Sequence, residues 1–289
     1  MTITTKRHAA SFVCIALACL AGSVHAAEWS DTSIGYRYGQ KFAEPYGPND
    51  ISKSIFSLTH ASGYKYGSNY LNVDMLLADD KDPSAPGAKS GSQETYVLYR
   101  NTLDIGKISG SAIDFGPVRG VGATLGFDWN SKSDAGYNSK KRMVVAGPTL
   151  MFKVPGFFNT SLLAIFESNA PYNAYSQTSV PRYTYKTHAM LSNAWLIPFS
   201  AGVPLTFEGY ANFIASKGKD EFGGDTKAET HIDMQIMYDI SEAVGAPKNT
   251  FKVGVEYEYW KNKFGNSDGG PAGPGATAKT PMVRVEYHF

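Results

Sequence analysis

The sequence predicts an all-β fold: a single closed antiparallel transmembrane β-barrel of about twelve strands. Three observations predict it, namely an export leader, period-2 alternation of apolar and polar residues along most of the chain, and a last strand ending on Phe289. The leader comes first. Lys6, Arg7 and His8 precede an apolar run over residues 9–21, and the small residues Val24 and Ala26 stand at the −3 and −1 positions of a cleavage site. Such a stretch is a secretory signal, too short and wrongly flanked for a spanning helix. Cleavage after Ala26 leaves residues 27–289 as one domain; the lipoprotein alternative through Cys19 is weaker because Ala16 makes a poor lipobox. Both cysteines, Cys14 and Cys19, lie in the leader, so the mature chain carries no thiol for a disulfide or a metal. Losing Lys6 and Arg7 takes the basic residues from 27 to 25 against 26 acidic ones, a balance with nothing to attract nucleic acid.

Beyond the leader no segment approaches the ~18 apolar residues of a membrane helix, since Lys153, Pro155, Pro198 and Pro204 interrupt the most apolar ones. Strands are read instead from alternation. The clearest runs over 230–240, where Ile232, Met234, Ile236, Tyr238 and Ile240 oppose His231, Asp233, Gln235 and Asp239. Over 251–260, Phe251, Val253, Val255, Tyr257 and Tyr259 oppose Lys252, Gly254, Glu256, Glu258 and Trp260. The same pattern marks 70–77, 95–103, 120–129 and 205–213, and weaker versions mark 29–38, 52–62, 140–152, 157–168 and 183–197. The twelfth strand, 280–289, sets Val283, Val285, Tyr287 and Phe289 against Arg284, Glu286 and His288. An even number lets 29–38 pair with 280–289 and close the sheet, as lipid demands of any spanning strand.

A soluble β-sandwich would alternate as well. Three features argue against it: charges on the polar face of most strands, aromatics at strand ends (Tyr36, Tyr38, Trp129, Trp195, Tyr257, Tyr259, Tyr287), and loops of two kinds. Compact turns such as 241–249 alternate with long polar connections at 79–92, 131–140, 169–182, 216–228 and 261–279. The last of these contains GGPAGPG and reads as a flexible surface loop, and 216–228 would be an exposed epitope if the barrel served as a phage or toxin receptor. Asp79, Asp80 and Asp82 read as a solvated loop rather than an ion site, because they lack calcium-loop spacing.

Several segments carry a resemblance that spans almost the whole mature chain: IGYRYGQKF (34–42), HASGYKYG (60–67), GPVRGVG (116–122), GFDWN (126–130), ESNAPYN (167–173), FEGYANFIASKGKDEFGGD (207–225) and YEYWKNKFGN (257–266). With these the chain resembles the nucleoside-specific channel-forming outer-membrane family (Tsx/OmpK-like), in its "outer envelope protein" branch. The resemblance implies a twelve-stranded monomeric barrel with a narrow pore for nucleosides, held in the cell outer membrane. A terminal Phe289 on an alternating strand resembles the signal read by the barrel-assembly machinery.

A nucleoside pore needs aromatic faces for the base, worth ~1–3 kcal/mol each, polar groups for the sugar, and binding weak enough for release. The strand phases put Arg37, Asp74, Tyr96, Arg100, Glu208, Tyr210, Asp233, Glu256, Trp260 and Arg284 in the lumen as candidate pore-lining residues, with Glu94, Asp128, Glu167, Asn212, His231, Lys252, Glu258 and Glu286 beside them. Paired charges that merely stiffen the lumen are the competing reading for each. No HExxH or glycine-rich phosphate loop occurs, so the expectation is a passive channel, not an enzyme, with no cofactor and no metal. Its expected partners are outer-membrane lipid, lipopolysaccharide (through Lys140, Lys141 and Arg142) and small solutes. A general small-solute porin, or a structural, adhesin or receptor barrel, are the alternatives.

Overall fold

The computed structural model describes residues 27–47, 49–173 and 178–289; the leader and its cleavage site lie outside them. Twelve long strands follow one another: β1 Trp29–Phe42, β2 Ile51–Tyr64, β3 Gly67–Ala78, β4 Gln93–Asp104, β5 Val118–Ser133, β6 Arg142–Phe152, β7 Phe157–Asn169, β8 His188–Ser200, β9 Pro204–Ile214, β10 Glu229–Asp239, β11 Phe251–Lys261 and β12 Thr277–His288. A short helix, α1 Ile105–Ser109, follows β4, and two-residue strand pieces sit between β7 and β8. Each long strand pairs antiparallel with its neighbours in sequence, and β1 pairs with β12 from Ser33↔His288 to Gly39↔Met282. The ring is closed, with the expected strand number and the expected first-to-last pairing.

Closure satisfies every edge, and the alternation then decides what faces where. Val255 and Val283, 61% and 57% exposed, point outward beside Ile34, Phe56, Met75, Leu125, Val144, Leu162, Phe166 and Phe213. Their strand neighbours Glu256, Arg284, Arg37, Ser57, Asp74, Thr124, Val145, Leu163, Ile165 and Asn212 point inward. This is an inverted distribution, apolar outside and, over most of the inner wall, polar or charged. Trp129, Tyr259 and Tyr38 stand near one end of the outer face and Tyr99, Trp195, Phe199, Phe251, Tyr287 and Phe289 near the other.

The two ends differ. At one, the connections are 65–66, 105–117, 153–156, 201–203 and 240–250, together with both ends of the described chain; at the other they are 43–50, 79–92, 134–141, 170–187, 215–228 and 262–276. The pairing fixes this alternation, but not all its details were expected. The connection 105–117 is long although it lies at the short-turn end. The segment 183–187 is not the start of β8: Tyr183–Thr184 pairs with the tip of β7, and β8 begins at His188. β1 continues past Tyr38 to Phe42 through a register shift between Gly39 and Phe42, which turns Phe42 inward against Ile51, Ile55 and Met282.

Candidate functional site

The lumen has two unlike walls. On β6, β7 and β8 the inward residues Met143, Val145, Leu163, Ile165 and Met190 form an apolar cluster. The sequence predicts charges on the polar face of most strands; here, on 140–152 and 157–168, the inner face is largely apolar. The opposite wall, β9 to β3 through the closure, is charged.

Five side chains on that wall form an alternating series. Arg37 binds Asp74 through Nη2 and donates from Nη1 to Glu256 Oε1 at 3.0 Å. Arg284 donates to the other Glu256 oxygen at 2.8 Å and to Glu286 Oε1 at 2.7 Å. Ser57 donates to Asp74 at 2.7 Å, while Gln235 accepts from Arg284 at 3.0 Å and donates to Glu208 at 3.1 Å. Arg37 and Glu256 are 219 residues apart in sequence, and the β1–β12 seam is what brings them together. Glu256 is only 2% exposed; a carboxylate so enclosed persists as a charge because two guanidiniums share it.

Toward the long-loop end the inward aromatics gather on a histidine. Trp260 stacks on His231, ring centroids 3.9 Å apart and planes 7° from parallel, and Tyr210 meets the same imidazole edge-on with its hydroxyl 3.0 Å from Nε2. Trp260 Nε1 donates to Glu229 at 3.2 Å, and Lys263 Nζ lies 4.9 Å from the indole centroid. Asp233 lies in register between Tyr210 and Glu258. Across the barrel Tyr96 donates to Asp128 at 2.6 Å, and Arg100 meets that carboxylate's other oxygen at 2.5 Å. All ten candidate pore residues therefore point inward. Arg37, Asp74, Glu256 and Arg284 share one network, to which Gln235 ties Glu208; Tyr210 and Trp260 share His231; Tyr96 and Arg100 stand apart with Asp128.

Sequence reading missed the group that narrows the long-loop mouth. Glu44, in the 43–50 loop, accepts from Lys53 at 2.5 Å and Lys263 at 3.3 Å, with Lys132 at 3.8 Å. Lys132 also pairs with Asp82 at 2.9 Å and Asp134 at 3.1 Å. Burial pushes the Glu44 carboxyl up, but Lys132, Lys263 and Lys53 outweigh it and hold it well below the usual carboxylate range. The backbone locks as well: Tyr46 N donates to Ala272 O at 2.9 Å, and a Cβ on Gly275 would fall 2.0 Å from Glu44 O, so only glycine allows that approach. The GGPAGPG segment is thus a docked loop and not a free one: Ala272, Gly275 and Ala276 are buried against the mouth, while Gly269, Pro271 and Pro274 stay exposed. Asp82, expected in a solvated loop, is likewise buried, and it accepts from Ser92 at 2.6 Å. A second hub in the same mouth joins Glu167 to Lys217 at 3.1 Å, which buries the base of the 215–228 loop that was expected to be exposed. Burial works against the Lys217 ammonium, but Glu167 and Glu229 hold it above its ordinary value. The only early signal for these hubs was charge on loops next to inward strand ends.

No family model matches the chain, and no curated protein matches it. Among solved structures it is similar to the KdgM porin, at 12% identity and a TM-score of 0.42, over 89% of this chain and 99% of that one. It is also similar to the translocator domain of the autotransporter NalP from Neisseria meningitidis (12% identity, TM-score 0.48, 94% and 93% covered). A third similar structure is the outer membrane protein opdK from Pseudomonas aeruginosa (12% identity, TM-score 0.25, 91% and 99% covered). These likenesses concern the fold alone.

Proposed function

We propose that this barrel sits in the outer membrane and passes small hydrophilic solutes passively through its lumen. The observation that carries the reading is the inverted distribution, with valines and phenylalanines on the outer face and Asp74, Arg37, Glu256, Arg284 and Glu286 along one inner wall. Burying those charges stabilises a water-soluble protein poorly, whereas an apolar exterior suits hydrocarbon and a polar wall replaces a solute's hydration. Arg37 Nε, Asn159 Oδ1, Asn212 Oδ1 and Glu258 Oε1 belong to inward side chains and are buried without a protein partner, so their polarity is met by internal water if at all. Nothing in this passage calls for a cofactor or a covalent step.

A nucleoside preference rests on the sequence resemblance and on Trp260. Because His231 already covers one face of that indole, a base would bind by taking the place of the imidazole. The close packing around Glu256 and Glu44 favours a second reading, a sealed barrel with a structural or receptor role. Single-channel current through purified protein in a planar bilayer, titrated with adenosine, thymidine and glucose, separates them. Current blocked by nucleosides but not glucose supports the full reading. Current indifferent to all three leaves a general pore, and no current supports the sealed barrel.

A further inference from the structure

We propose that the outer rim of the barrel at β6 and β7 is a binding site for the phosphate of lipopolysaccharide lipid A, held by Arg142 and Arg182. Arg142 opens β6 on its outward face, in register with Trp129 of β5 and Ser168 of β7. Arg182 comes from the long 170–187 connection and is fixed over the same row: Nη1 donates to Ser168 Oγ at 3.1 Å and Nη2 to the Lys140 carbonyl at 3.0 Å. The Lys140 backbone is itself pinned, its N–H donating to the buried Asn169 side chain at 2.8 Å. The result is two exposed guanidiniums flanking one hydroxyl, neither of them paired with a carboxylate among the described residues. Burial first, and the Arg142 charge second, depress Arg182 from its ordinary pKa.

An unpaired arginine pair costs repulsion unless an anion completes it, and a phosphate accepts from both forks at once. The surroundings select a lipid. Directly along the strands from Arg142 and Ser168 the outward residues are Val144 and Phe166, 54% and 52% exposed, with Phe127 beside them on β5. A headgroup anion on the arginines therefore lies above an apolar strip on which its acyl chains can rest, while the aromatic Trp129 marks the interface. The long loops define the outer-leaflet side in this class of barrel, and the phosphorylated lipid of that leaflet is lipid A. The inference rests on the membrane orientation proposed above.

The test uses folded wild-type protein in detergent, mixed with bisphosphorylated lipid A, dephosphorylated lipid A or inorganic phosphate, with bound lipid counted by native mass spectrometry. The R142A/R182A double variant is compared with K261A/K279A, which removes two other outward lysines near the same rim. Heat-modifiable gel mobility confirms folding, and bilayer current on the same preparations reports the channel reading separately. We expect lipid A to bind wild type and K261A/K279A alike, to bind R142A/R182A about tenfold more weakly, and to need its phosphates. Equal binding to both double variants, equal binding of dephosphorylated lipid A, or full competition by millimolar inorganic phosphate would overturn the proposal.

Discussion

Trp260 lies flat on His231, their ring centroids 3.9 Å apart. That one contact decides how an aromatic solute could be held, because the indole face a base would use is already occupied. Replacing His231 with Ala uncovers it. Block of the current by adenosine is therefore expected to tighten roughly tenfold in His231→Ala, in line with one added stacking face, and to vanish in Trp260→Ala while open conductance changes little. Equal loss of block and conductance in Trp260→Ala would make the residue structural.

Glu256 joins Arg37 to Arg284 across the β1–β12 seam. Glu256→Ala leaves two enclosed guanidiniums short of their shared anion, with an expected loss of about 3–5 kcal/mol. Urea unfolding in lipid vesicles measures this. An unchanged midpoint would mean that the network adds nothing to the seam.

The Glu44 hub makes the mouth respond to acid. Because its carboxyl is held low in the folded state, the docking of the 43–50 and 262–276 loops is fully present above about pH 4.3, the ordinary glutamate value, and is lost only as pH falls through the lowered one. Conductance is expected to stay level from neutral pH down to about pH 4 and to rise below that. Glu44→Gln should raise it at neutral pH and remove the acid-driven rise. A wild-type rise centred at the ordinary glutamate value would contradict the lysine cage.

At the other end Phe289 N donates to Thr32 O at 2.9 Å, extending the seam to the last residue. Deleting Phe289 is expected to cut the heat-modifiable, membrane-inserted fraction several-fold in cells, while refolding from urea into detergent is little changed. Equal loss in both assays would assign the residue to stability rather than to recognition by an assembly machinery.

The fold was legible because period-2 alternation is local: Ile232, Met234 and Ile236 against His231, Asp233 and Gln235 fix a phase without any knowledge of the partner strand. Every inward assignment followed from that. What pairs with what was not legible, since Arg37 meets Glu256 only after closure. The Glu44 hub was hidden for a related reason: Glu44 and Lys263 lie in loops, where no period reports direction. The strand ends at Phe42 and His188 were misjudged where Gly39–Gln40–Lys41 and Pro181–Arg182 break the pattern.

The central claim, that solute and ions pass along the charged inner wall, is tested most directly with single cysteines on β9. The chain beyond residue 26 has none of its own, so Asn212→Cys, facing inward, and Ala211→Cys, facing outward, each carry one reporter. Current is recorded before and after a charged, membrane-impermeant thiol reagent. The account predicts a lasting drop in current at Asn212→Cys and none at Ala211→Cys. No current at all, or a current that neither modification alters, would contradict it.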